Sequence, residues 1–88
     1  MPSRTVDVLN KRGLHARASA KFVTLAAGHT APVVVEKDGS RVCGTSIMGL
    51  MMLGAACGDR ITISAEGEGA EEAVAALAEL VEAKFGEE

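Results

Sequence analysis

His15 stands where a polar turn, Asn10-Lys11-Arg12-Gly13, gives way to helix-forming residues, and Arg17 follows two positions later. An imidazole at or beside a helix N-cap faces amide donors without intrahelical partners, and a partial positive charge. A phosphoryl group bonded to a ring nitrogen there would meet the backbone N–H groups of Ala16 and Arg17, the way helix N-termini hold phosphate. The Arg17 guanidinium adds a permanent cation whose forked donors suit phosphate oxygens. A helix end contributes only ~0.3–1 kcal/mol to an anion at an exposed site, weak enough for a bound group to leave again. A histidine in a turn also reads as a solvated or capping side chain. Taken alone, this segment leaves both readings open.

Ser46 is the second candidate. It precedes Ile47-Met48-Gly49-Leu50-Met51-Met52-Leu53, a short apolar run ended by Gly54, and its hydroxyl is placed to cap that helix. Ile47, Met48, Met51 and Met52 span more than one side of a helix, so they cannot all face a core. Methionine suits surfaces that adapt to several partners. Ile47, Met48 and Met51 are therefore assigned to a docking patch together with Ala20, Lys21 and Thr24 of the first helix, and Leu50 and Leu53 to the core. His29, just past Gly28, reads as a helix-end residue without chemistry.

Composition removes other classes. The chain has 88 residues and a net charge of −3, and six of its 12 acids lie between positions 66 and 82. It has two Phe, no Trp and no Tyr, so the basic stripe and stacking aromatics of a nucleic-acid binder are missing. Cys43 and Cys57 form no CxxC pair, and His15 and His29 are not spaced as companion ligands, so no metal or cofactor is expected. No apolar run approaches the ~20 residues of a membrane span, and the first residues do not read as a signal peptide. A soluble, cytoplasmic protein of one domain over residues 1–88 is expected.

The elements that must position these residues follow from periodicity. Thr5–Leu9 alternates as a first strand, and a helix runs from about Ala16 to Ala27 with Ser19, Phe22, Val23 and Ala26 inward. Pro32–Glu36 is β-branched, Asp38-Gly39 signals a hairpin, and Arg41–Cys43 returns as a third strand. Arg60–Glu66 alternates as a fourth. A last helix from about Ala70 to Lys84 carries an apolar stripe of Val74, Leu77, Val81 and Phe85, with Ala73 and Leu80 at its edge. The order β-α-β-β-α-β-α predicts an α+β, two-layer open-faced sandwich. Its four-stranded antiparallel sheet is covered on one face by three helices, with Thr62, Ser64 and Glu66 toward water.

Gly13-Leu14-His15-Ala16-Arg17 resembles the phosphorylation-site motif of the HPr family, the histidine-containing phosphocarriers of the bacterial phosphotransferase system. Thr45-Ser46-Ile47-Met48-Gly49-Leu50-Met51 is similar to the family's regulatory-serine segment and second helix, so two separated motifs stand in register. The resemblance covers nearly the whole chain. It implies a carrier and not an enzyme: enzyme I passes a phosphoryl group to Nδ1 of His15, Arg17 assists, and an EIIA-type protein receives it. It further implies that HPr kinase/phosphorylase modifies Ser46, adding negative charge beside the docking face. Where most relatives have Pro after the arginine, this chain has Ala18 followed by Ser19. Ala-Arg-Ala-Ser resembles alphaproteobacterial members, which often belong to a regulatory, nitrogen-related branch and not to sugar uptake. A monomer without nucleic-acid or membrane partners is expected.

Two rival readings remain distinguishable. A regulatory binding module without carrier activity would act through Ser46 and the Met-rich patch, leaving His15 and Arg17 without a role. A nucleic-acid or metabolite-binding α+β domain fits the order of elements but lacks the basic patch and a Gly-rich phosphate loop.

Overall fold

The computed structural model describes residues 2–87. Its elements are β1 (Ser3–Asp7), α1 (Ala16–Ala27), β2 (Val33–Lys37), β3 (Ser40–Cys43), α2 (Ile47–Leu53), β4 (Arg60–Ala65) and α3 (Ala70–Glu82), followed by a 3-10 turn at Lys84–Gly86. The strands form one antiparallel sheet in the order β1-β4-β2-β3. Register explains its two faces. Val6 sits opposite Ile61 and Val35 opposite Ile63, and all four side chains are buried beneath the helices. The alternate positions form the open face, where Thr5 and Thr62 share a hydrogen bond of 3.0 Å and Arg60 pairs with Asp7 at 3.1 Å. This is the expected open-faced sandwich, with α3 over β1 and β4, α2 against β2 and β3, and α1 packed on both other helices.

Phe22, Leu50, Ile61, Ile63, Leu77 and Phe85 are the largest fully buried apolar side chains and hold the two layers together. The local signals fall where expected. Asp38 and Gly39 both have positive φ, as a two-residue type I′ hairpin requires. Gly54 closes α2 in the left-handed conformation, and Leu50 and Leu53 are buried as assigned. No helix among the described residues is long and apolar enough to cross a membrane.

Several boundaries depart from the sequence expectation. β1 begins at Ser3 and ends at Asp7, not Thr5 to Leu9, because Val8 leaves the β4 ladder. Its N–H donates to Asp59 O at 2.8 Å, its carbonyl accepts from Gly58 N–H at 2.7 Å, and Leu9 is exposed. α3 ends at Glu82 instead of Lys84. Lys84 and Phe85 adopt left-handed φ of 60° and 58°, and Gly86 follows at 77°. Phe85 still reaches the core, from the turn and not from the helix stripe. Ala73, placed at the stripe's edge, is fully buried, and so is Ala78. The other strands shift by a single residue at one or both ends: β2 runs Val33–Lys37, β3 starts at Ser40 and β4 stops at Ala65.

Candidate functional site

The corner ahead of α1 is built tightly. Gly13 turns the chain with φ 63°, after which Leu14 is buried and its N–H donates to Ala55 O at 2.9 Å. Asn10, almost wholly buried, donates from Nδ2 to Gly13 O at 2.8 Å. Ser19, fully buried, donates its hydroxyl to Leu14 O at 3.2 Å and its N–H to His15 O at 2.8 Å. The backbone on either side of His15 is therefore fixed from both directions.

His15 is the N-cap of α1, with extended backbone at φ −73° and ψ 178°. Its Nδ1 accepts the Arg17 N–H at 3.2 Å, and its Nε2 lies 2.5 Å from Glu87 Oε2. A carboxylate can only accept, so Nε2 carries the proton, while the amide donor requires a lone pair on Nδ1. In the neutral ring the two contacts select one tautomer, with Nδ1 as the nucleophilic nitrogen. The amide contact is long for an N–H···N bond and is easily exchanged for a stronger one. A phosphoryl group bonded to Nδ1 would displace this contact and leave the Arg17 N–H to donate to one of its oxygens. The sequence reading treated that amide as free; the structure shows it already engaged by the ring. Ala16, the first residue of the helix, keeps an amide without an intrahelical partner.

The Arg17 guanidinium forms no hydrogen bond or ion pair among the described residues, and it borders a groove between α1 and α3. Ser46 caps α2 as expected, its Oγ accepting Gly49 N–H at 2.9 Å. Ser46→Ala should therefore lower stability by about 1 kcal/mol, readable as a shift of the urea midpoint at constant slope. Ala20 is half-buried, while Lys21, Thr24, Ile47, Met48 and Met51 are exposed. The Lys21 Nζ donates to Phe85 O at 2.7 Å, which leaves two of its donors for other partners. Met52, left out of the proposed patch, is 79% exposed and the most open of the large apolar side chains among the described residues. Cys43 and Cys57 are free and exposed, and no group of three potential metal ligands exists among the described residues.

Sequence reasoning missed Glu87 and Asn10. Glu87 lies 72 positions from His15 and reaches it because the left-handed turn at Lys84–Gly86 redirects the chain toward α1. Asn10 also donates to Glu87 Oε1 at 3.2 Å, and its own buried Oδ1 has no partner. Asn10 belonged to the recognised turn, but no periodicity marks a residue that ties one end of the chain to the other.

The hydrogen bond from His15 holds the Glu87 carboxyl below its ordinary value of 4.5. A depressed carboxyl favours the folded contact above that ordinary value and loses it as pH falls through the lowered one. Ring 15N shifts of His15 should therefore stay constant with respect to Glu87 at neutral pH and report loss of the Nε2 contact only in acid. Glu87→Gln should weaken the preference for the Nε2–H tautomer at neutral pH, in the same measurement.

The comparisons with known proteins identify the family. Residues 2–83 match the family model described as the PTS HPr component phosphorylation site. Phosphocarrier protein HPr of Neisseria meningitidis is 47% identical, covering 99% of this chain and 98% of the relative. Phosphocarrier protein NPr of Shewanella violacea is 38% identical over 96% of this chain and 92% of its own. A crystal structure of HPr from Thermoanaerobacter tengcongensis superposes with a TM-score of 0.96 at 48% identity, covering 100% and 99% of the two chains. A second structure from that organism, described as an HPr dimer, gives 0.78 at 47% identity, covering 99% and 100%. With a family model matched over residues 2–83, relatives alike over nearly the whole chain and the same helices and sheet, the chain belongs to the HPr family of phosphotransferase-system phosphocarriers, which are carriers and not enzymes.

Proposed function

We propose that the chain acts as one carrier domain over residues 1–88 and takes a phosphoryl group from enzyme I on Nδ1 of His15. The observation that carries this reading is the pair of contacts on the ring, Glu87 at Nε2 and the Arg17 N–H at Nδ1. The Nδ1 lone pair attacks phosphorus, the bond from phosphorus to the donor's histidine nitrogen breaks, and that nitrogen keeps the electron pair. Arg17 balances the oxygens' charge as the group moves. Transfer in this class depends mainly on positioning and electrostatics. An EIIA-type protein then receives the group by the reverse sequence of bonds. Incubation with phosphoenolpyruvate and enzyme I should add a single acid-labile phosphoryl group that maps to His15.

The docking surface comprises Ala20, Lys21 and Thr24 with Ile47, Met48 and Met51. Ser46 adds regulation through HPr kinase/phosphorylase. A phosphate at that cap sits well on the α2 N-terminus but sets about two negative charges beside the docking residues. Phosphorylation of Ser46 should slow uptake from enzyme I by about tenfold or more; an unchanged rate would remove the regulatory role. Ala18 and Ser19, together with the likeness to NPr, favour a regulatory, nitrogen-related branch over sugar uptake, with the protein working as a monomer in the cytoplasm. The rival, a binding module without carrier duty, predicts that loss of His15 leaves partner binding and its regulation unchanged.

A further inference from the structure

We infer that the groove between α1 and α3 is a binding site for a small amphipathic anion, a carboxylate or phosphate monoester with an apolar body. The groove is an open surface depression of about 590 Å³, enough space for a small molecule lying along it. Its sides are apolar: Ala20 and Leu25 on α1 face Leu80 on α3, and Leu25 and Leu80 are only partly covered by the core. Every ionisable residue lining it is basic. Arg17 and Lys21 stand toward the His15 end and His29 toward the other, with no carboxylate between them. In a chain of net charge −3 this is a local reversal of sign. The Lys21 ammonium is held in place by Phe85 O at 2.7 Å, so part of the cost of ordering a lysine for a ligand is already met. The Arg17 guanidinium has no partner among the described residues. These two cations would receive an anionic head, and a hydrocarbon or aryl body would lie along Leu25 and Leu80, where it replaces water on half-exposed apolar surface.

The position gives the site a consequence that rests on the carrier reading above. An anion on Arg17 occupies the cation that serves the phosphoryl group, so ligand and phosphoryl transfer compete. Occupancy would couple the phosphorylation state to the level of an amphipathic acid in the cell.

Binding is tested without reference to carrier activity. Labelled protein is titrated with octanoate and with octyl phosphate, alongside 1-octanol as the body without charge and acetate as the charge without body. Saturable shifts of the Leu25 and Leu80 methyls and the Gly28 and His29 amides are expected with one or both of the anionic octyl compounds only. Which of the two binds more tightly distinguishes a carboxylate ligand from a phosphate ester. Leu80→Gln, on α3 and outside the docking residues, should weaken binding about tenfold and leave uptake from enzyme I unchanged in the absence of ligand. Lys21→Gln should abolish the preference of octanoate over octanol. Equal response to all four compounds, shifts confined to the methionines of α2, or no response to about 10 mM (a binding free energy weaker than about −2.7 kcal/mol) would overturn the proposal. So would a groove that responds to an acidic peptide and not to the octyl anions. If the anions bind but enzyme I transfers nothing to His15, the carrier reading fails and the ligand site stands.

Discussion

His15→Asn is expected to give a folded protein that takes no phosphoryl group from enzyme I. The choice of asparagine matters because His15 also caps α1 through the Arg17 N–H. Alanine removes nucleophile and cap together and should cost about 1 kcal/mol of stability, whereas asparagine is among the best N-cap residues and retains the helix start. Both variants lack the ring nitrogen proposed as the acceptor, so the expected effect on uptake is loss, not attenuation. The measurement is intact-protein mass after incubation with phosphoenolpyruvate and enzyme I, with circular dichroism confirming the fold. An acid-labile phosphoryl group on His15→Asn would move the acceptor elsewhere, His29 being the other imidazole, and would sink the assignment.

Gly13→Ala should be the most damaging conservative substitution at the site. A Cβ there would lie 2.3 Å from Ala55 O and 2.8 Å from Ala56 Cα, both backbone atoms that cannot swing aside. The left-handed φ of 63° adds roughly 1–2 kcal/mol of its own for a residue with a Cβ. Together these should cost about 3 kcal/mol, a large share of the 5–15 kcal/mol typical of a domain, and lower Tm by about 12–24 °C. The same displacement breaks the bond from Leu14 N–H to Ala55 O that sets the direction of α1. Uptake at His15 should therefore fall at temperatures where the variant is still folded. Full activity at low temperature would show that the corner tolerates more movement than its contacts suggest.

The parts of the molecule governed by local chemistry were legible in the sequence. Gly54, Ser46 and Asp38-Gly39 each act within a few residues of where they stand, and α1 and α2 fall within their expected limits. Strand ends were less legible because they depend on partners. Val8 has the right type for a strand, but its bonds go to the turn before β4 and not to the ladder. Phe85 belongs to the apolar stripe by spacing, yet it enters the core through a left-handed turn that no helical period describes. The site divides in the same way. His15, Arg17 and the cap at Ser46 are visible as a turn, a helix start and a charge. The carboxylate that orients the ring arrives from 72 residues away, on a backbone conformation that pattern alone does not announce.

That conformation also sets a clock. Lys84 and Phe85 each hold a positive φ at a cost of order 1–3 kcal/mol, and release of the turn recovers it. Segments with such compensation open locally long before the molecule unfolds. Amide hydrogens of Gly86 and Glu87 should thus exchange with solvent through brief openings, while those of Ile61 and Ile63 wait for global unfolding. Each opening would break the Glu87 contacts to His15 Nε2 and Asn10 together, leaving the ring held only by the Arg17 N–H and Asn10 by Gly13 O. The grip of Glu87 on His15 is then intermittent, and its closed fraction sets how long the ring stays oriented between encounters with a partner.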